Sequence, residues 1–275
     1  MNESSWTKLF RYVVLGLAVG ITLFPIVWVV VTSFKGPGEI MSIPPTLFVK
    51  KPTLANFAEA LNSGFAMALR NSIMVALGST SLSLIFSTPA SYAFARYPFR
   101  GSQTLLMAVL VVMMIPGIVL IIPFFTLMNR AGLVDSPIAL ILTYLSFQIP
   151  FCIWLLVGFF RAIPPEIEEA AVIDGCSRFH AFLAVILPLS TNGLATAAIF
   201  TFLGSWNEFL FAVTLTSTLA AKTAPVLIAE SVGSYEIFWG RMAASASMYV
   251  VPALAFNFLF QRFIVRGLIA GAVKG

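Results

Sequence analysis

Apolar residues in this chain come in long unbroken runs, separated by short polar connections. A helix needs about 20 mostly apolar residues to cross the hydrocarbon core of a bilayer. Six segments qualify: Tyr12 to Phe34, about Leu69 to Ala95, Gln103 to Leu127, Pro137 to Phe160, Pro188 to Val213, and Met242 to Phe260. Helices close their backbone hydrogen bonds internally, which makes them tolerable in lipid. A β-barrel would instead show short alternating segments, and these runs do not alternate. The pattern predicts an all-α, polytopic membrane protein with six transmembrane helices, forming one domain over residues 1–275.

Composition removes the soluble alternative. Of the 275 residues 59% are hydrophobic and 10% charged, with mean hydropathy +0.97, against about 25% charged in an ordinary soluble domain. The net charge of +5 would suggest nucleic acid in a soluble protein. Here the basic residues flank apolar runs, as membrane orientation requires, so nucleic acid is not an expected partner and membrane lipid is. Cys152 lies in an apolar run and Cys176 in a polar loop, and neither a disulfide nor a metal spacing is present. The single histidine, His180, reads as a loop residue. Lys8 and Arg11 precede the first apolar run in the manner of a signal peptide, but that run is longer than a cleavable one and ends in Thr-Ser-Phe-Lys without a small-x-small site. It is expected to be retained.

Six spans put both termini on one side. With cytoplasmic termini, the inner flanks carry Lys8, Arg11, Arg96, Arg100, Arg161, Arg178, Arg262, Arg266 and Lys274. The outer flanks carry Lys35, Lys50, Lys51, Arg70, Arg130, Lys222 and Arg241 over longer loops. The inner basic density is higher and closer to span ends, where the positive-inside rule acts. The breakers Pro89, Pro116-Gly117, Pro123, Pro150 and Pro252 fall inside spans. They fit either ordinary tolerance of proline in membrane helices or broken helices that line a path and move.

The most informative polar stretch is the connection from Arg161 to Pro188, which holds Glu166, Glu168, Glu169 and Asp174. Pro164 or Pro165 can open a helix, and the glutamates then fall in its first turn, where the dipole favours them. Ala170 and Ala171 allow close approach by a partner, and Gly175 breaks the helix. A second short helix from Ser177 to Leu187 would present Phe179, Phe182 and Val185 or Ile186 on one face. From the residues alone, this is either a docking knob or a solvated connector between two spans.

Glu169-Ala170-Ala171, three residues, Gly175, nine residues, then Val185-x-Leu187-Pro188 resembles the EAA loop of binding-protein-dependent ABC importer permeases, with Val185 where isoleucine is usual. The resemblance extends through Asn71-Ser72, Ser91-Tyr-Ala-Phe-Ala-Arg96, Trp206-Asn207-Glu208-Phe209 and the closing Arg266–Gly275 segment, which look like the shorter permease of carbohydrate importers of the maltose-transporter class. It implies a permease of an ATP-driven importer in a bacterial or archaeal plasma membrane, passing a sugar or related neutral polyol, with a cytoplasmic coupling loop at about 161–188. Implied partners are a second homologous permease, two ABC ATPase subunits and an extracytoplasmic sugar-binding protein.

The chain has no Gly-x-x-x-x-Gly-Lys-[Ser/Thr] loop. No cofactor is expected in it, ATP and Mg being bound by the ATPase subunits, and it is not expected to be an enzyme. The rival class is a secondary transporter or channel without an ATPase. The residues expected to couple to the ATPase are Glu169, Ala170, Ala171, Asp174, Gly175, Phe179, Phe182, Leu187 and Pro188. The tail Gly271, Ala272, Val273, Lys274 and Gly275 is expected either to reach the ATPase interface or to be a basic membrane-proximal end. Trp206, Asn207 and Glu208 form a candidate substrate path or gate, or else an interfacial aromatic with a polar helix end. The span interiors hold almost no Lys, Arg, Asp or Glu, which favours a neutral, hydroxyl-rich solute over a charged one.

Overall fold

The computed structural model describes residues 5–97, 99–233 and 236–272, with only the backbone of 5, 7 and 261–272. In chain order the helices are α1 Ser5–Ser33, α2 Pro37–Ile40, α3 Ala55–Asn62, α4 Phe65–Arg96, α5 Ser102–Met113, α6 Ile121–Arg130, α7 Pro137–Ala162, α8 Pro165–Ile173 and α9 Arg178–Ala181. They continue with α10 Leu187–Leu189, α11 Thr191–Trp206, α12 Leu210–Leu215, α13 Ala224–Ala229 and α14 Trp239–Ala272. Among the described residues the only β pairing is an isolated bridge between Val232 and Ile237, so the chain is all-α.

Among the described residues, four helical segments are long and apolar enough to cross a bilayer: Lys8–Ser33, Phe65–Arg96, Pro137–Ala162 and Trp239–Phe260. Two of the six expected spans are not straight helices. The third is Ser102–Met113 followed by Gly117–Arg130, bent by 89°. Pro116 supplies no N–H and disfavours a helical Ile115, and Gly117 beside it is the poorest helix former after proline. Pro25, Pro89, Pro150 and Pro252, each without a glycine neighbour, stay inside continuous helices. The fifth span opens at Thr191 rather than Pro188, after a 71° bend from Arg178–Leu189. The chain turns at Ser190, whose N–H and hydroxyl both donate to Ile186 O (3.0 and 2.8 Å). That span also stops at Trp206, seven residues early, because Asn207 caps it: its N–H and side-chain amide both donate to Leu203 O (3.0 and 2.9 Å).

The chain forms two compact units, residues 1–66 with 227–251, and residues 67–226 with 252–275. In the first, α1 is exposed along its apolar length, a surface made for lipid or a protein partner. Its C-terminal end is fixed by buried Asn56, whose amide donates to Ser33 O and Lys35 O (2.9 and 2.8 Å). The amide group fills the space where Gly240 has no Cβ; one there would lie 2.2 Å from Asn56 Oδ1. Lys35 is buried, donating to Thr46 O with its ammonium 4.8 Å from the Trp28 ring centre.

The second unit is built around α4, α7 and α11. Ser79, Ser83, Ser87 and Ser91 repeat every four residues along α4, one helical face, and all are buried. Ser87 and Ser91 return their hydroxyls to the carbonyls four residues earlier. These small residues let the helices approach closely, as membrane helices commonly do. One core cluster joins Val75, Leu140, Tyr144, Phe211 and Leu215, and another Tyr92, Leu156, Phe160, Phe182 and Ile186. Asp135 closes the turn before α7. In a left-handed backbone (φ 62°) it accepts from Ser217 N–H and Thr218 N–H (2.8 and 2.9 Å) and from the Thr218 hydroxyl (2.7 Å).

Candidate functional site

Two places bring the expected functional residues together, and both lie in the second unit. At the first, Pro165 occupies the opening turn of α8 with Glu166 and Glu168 behind it, as the sequence predicts. The helix ends at Asp174 in a Schellman turn: Cys176 N–H donates to Ala171 O and Gly175 N–H to Val172 O (both 3.0 Å). Gly175 has φ +94°, a conformation glycine adopts without steric cost. Glu169, Ala170, Asp174 and Gly175 are exposed and Ala171 is half-buried. Ser177 then caps α9, its hydroxyl accepting from His180 N–H (3.2 Å).

The second half of the loop departs from the expected single helix. After Ala181 it widens into a π-helical turn over Phe182–Ile186, and this separates residues expected on one face. Phe179 is 71% exposed. Phe182 turns inward, its ring 4.4 Å from that of Tyr92, and Ile186 is fully buried. Phe182 is thus a core residue that seats the loop on the bundle, not a surface contact. Leu187 is half-buried and Pro188 exposed.

Glu168 is the residue that sequence reasoning passed over. Its carboxylate accepts from Tyr92 OH (2.5 Å) and Tyr97 OH (3.2 Å) and lies 3.3 Å from Arg96 Nε, with both charged side chains about 90% buried. Arg96 also donates to Ile163 O (2.7 Å), at the joint between α7 and α8. The Arg178 guanidinium lies 5.5 Å from the Tyr97 ring centre. The Ser91–Tyr97 segment holds these tyrosines and the arginine at helical spacing, which was the available signal; its acidic partner lies some seventy residues on.

At the second place, a cleft of about 550 Å³ is lined by Tyr144, Phe147, Gln148 and Phe151 of α7, by Phe200, Thr201, Gly204 and Ser205 of α11, by Glu208, by Leu210 and Phe211 of α12, and by the Pro116 break. Its polar groups are joined to one another. Gln148 accepts from Ser83 (2.9 Å) and donates to Thr201 O (3.3 Å) and Ser205 Oγ, which is 2.7 Å from Ser79 Oγ. Glu208 accepts from Tyr144 OH (2.6 Å) and from Phe211 N–H and Ala212 N–H (2.8 and 3.1 Å), an acid placed where the α12 dipole favours it. Of the three expected path residues, only Glu208 lines this cleft. Trp206 is buried, stacked on Phe202, itself stacked on Phe256 (ring centres 5.5 and 3.8 Å apart), because position 206 falls on the side of α11 away from the face that Phe200, Thr201, Gly204 and Ser205 turn to the cleft. Asn207 is exposed and spends its amide on the helix end. In the tail, Gly271 and Ala272 are the last helical residues of α14, and Val273, Lys274 and Gly275 lie outside the described residues. No cluster of metal-ligating side chains occurs among the described residues.

Residues 87–268 match the family described as binding-protein-dependent transport system inner membrane component. The chain belongs to this family. It is an ABC importer permease, a multi-pass inner-membrane protein, and not an enzyme, since ATP hydrolysis resides in separate subunits of such systems. The permease is 40% identical over 265 residues to the trehalose transport system permease protein SugB of Mycobacterium tuberculosis (94% of this chain, 95% of SugB). It is 37% identical over 269 residues to the sulfoquinovosyl glycerol transport system permease protein SmoH of Agrobacterium fabrum (98% and 94%). It is 36% identical over 259 residues to the trehalose/maltose transport system permease protein MalG of Thermococcus litoralis (93% and 92%). Its fold matches a chain of a bacterial ABC transporter that imports the acidic polysaccharide alginate, with TM-score 0.82 and 21% identity over 96% of this chain and 99% of that one. A second alginate transporter structure, in complex with a pentasaccharide-bound periplasmic protein, matches with TM-score 0.64 and 14% identity over 96% and 98%.

Proposed function

We propose that this permease passes a neutral sugar or polyol, delivered by an extracytoplasmic binding protein, and takes its energy from two ABC ATPase subunits that hold ATP and Mg. In this reading the chain is a single permease domain, residues 1–275. It spans the membrane six times, the bent pair Ser102–Met113 and Gly117–Arg130 counting as one span and Thr191–Trp206 as the fifth, with both termini in the cytoplasm, and pairs with a second homologous permease. The loop at about 161–188 is the seat of an ATPase.

The observation that carries the reading is the helix–Gly–helix of α8 and α9. It presents Glu169, Ala170, Asp174 and Phe179 to solvent around a left-handed Gly175, and α8 contributes no residue to the core. A helix held outside the core is available to a partner. Closure of an ATPase pair would then move the spans as rigid bodies, in alternating access. A tail reaching the same interface fits this arrangement.

The cargo assignment rests on the cleft. Its lining holds no Lys, Arg or His, and its one carboxylate, Glu208, is already bonded to three donors of the chain. Phenylalanine faces with a few hydroxyl and amide groups suit a hydroxyl-rich, uncharged ring. SugB and MalG are named for the disaccharides trehalose and maltose, which agrees with that class.

The test is uptake by the assembled complex in vesicles, with its binding protein, comparing neutral disaccharides with uronic-acid oligosaccharides of similar size. Selective uptake of a neutral sugar is expected. Selective uptake of the acidic series would overturn the cargo assignment.

A further inference from the structure

We infer that Glu168 is the positioning residue through which the coupling loop drives the bundle. It forms a latch with Arg96, Tyr92 and Tyr97 that hands the movement of α8 to the end of α4. The inference rests on the proposed seat of the ATPase at the loop.

No apolar residue of α8 is fully buried, so apolar packing alone does not make it rigid with the bundle. Its middle is instead tied by one carboxylate to three groups in the last five residues of α4 and the residue after it. Hydrogen bonds to a charged acceptor are about twice as strong as neutral ones. A largely buried ion pair also resists separation, because parting it strands a charge in a poorly solvated place. Arg96 does two jobs, pairing with Glu168 and holding the Ile163 carbonyl where α7 gives way to α8. Past the Gly175 turn, Arg178 stacks on Tyr97, the residue that also binds Glu168. Both sides of the glycine are therefore gripped at one place. A push on the exposed face of Glu169 and Ala170 reaches α4 through the adjacent Glu168. That helix carries the serine face joined to α7 and α11 through Ser83–Gln148 and Ser79–Ser205, so displacement of its end is transmitted to the cleft. Glu169 grips the partner, and Glu168 transmits.

The test uses the whole complex of permeases, ATPases and binding protein in vesicles, with Glu168→Gln, Glu168→Ala and Tyr97→Phe. Three quantities are read: ATPase retained on purification, ATP hydrolysed, and solute taken up. In Glu168→Ala the ATPase should remain bound within two-fold while solute moved per ATP falls roughly ten-fold, the scale of one lost charge-assisted bond. Glu168→Gln, which keeps an acceptor for the tyrosines, should lose less, and Tyr97→Phe least. If the alanine variant does not accumulate, the order wild type, Tyr97→Phe, Glu168→Gln in solute per ATP carries the test. A merely structural residue would lower abundance and uptake together and leave the ratio unchanged, which would overturn the latch. Parallel loss of ATPase binding and uptake would overturn it too, placing Glu168 in the grip. Uptake by wild type that needs no ATP would overturn both the latch and the proposed function.

Discussion

Replacing Gly175 separates backbone strain from surface contact. Its φ of +94° is a conformation L side chains rarely adopt, yet a Cβ there would meet no atom within 4 Å. Inside this chain the cost of Gly175→Ala is therefore conformational, roughly 1–2 kcal/mol for a left-handed L-residue. Asparagine tolerates that region and should cost less. Valine, branched at Cβ, should cost most. If the turn is the form the ATPase binds, apparent affinity falls with the fraction of permease that holds it. The strain in Gly175→Ala thus permits at most about a 5–30-fold weakening. The assay is ATPase titration onto purified permease pairs, with permease quantity matched and span integrity checked by thermal unfolding. The expected order of affinity is glycine, asparagine, alanine, valine. Equal affinity of the valine and glycine forms would refute the reasoning, and so would alanine binding better than asparagine, which would show that side-chain volume rather than backbone conformation decides.

Three further outcomes follow from the packing. Gly193→Ala would put a Cβ 2.5 Å from Phe159 Cγ; overpacking of this kind costs about 1–3 kcal/mol, so the thermal midpoint should fall while Gly204→Ala, with open space, leaves it unchanged. Partial burial pushes the Asp135 carboxyl pKa up, but the hydrogen bonds from Ser217 and Thr218 outweigh it and hold the group below its ordinary value. Its stabilising contribution is then complete above about pH 4 and lost as pH falls through the lowered pKa, so the thermal midpoints of wild type and Asp135→Asn should differ at neutral pH and converge in acid. For orientation, in a Cys152→Ser, Cys176→Ser background, Ala131→Cys should react with an impermeant thiol reagent from outside intact cells and Glu166→Cys should not; the opposite pattern would reverse the topology.

Local patterns gave the long apolar segments and the Gly175 turn, because each depends on residues adjacent in the chain, whereas Pro116-Gly117 was one breaker among five, and helices continue through Pro89, Pro150 and Pro252. The bend at Ser190 was not legible: Pro188 marked a helix start equally well, and the turn is held by Ser190 bonding back to Ile186, itself buried in the cluster of Tyr92 and Phe160. Trp206 was misplaced for a similar reason. An aromatic beside an amide and an acid suggests a ring stacker, but α11 turns Trp206 away from the cleft side that Ser205 shares with Glu208. Glu168 differs from its neighbour Glu169 only in direction, and nothing short of the fold brings Tyr92 and Arg96 to it.

The central claim is that this chain is a conduit energised by separate ATPase subunits. The most direct measurement is solute accumulation in vesicles that contain either this chain alone or the full complex, with ATP inside or outside and binding protein present. The chain alone should neither hydrolyse ATP nor take up solute, and the full complex should accumulate solute only when ATP is on the side that the α8–α9 loop faces. Accumulation by the chain alone, driven by an ion gradient, would contradict it.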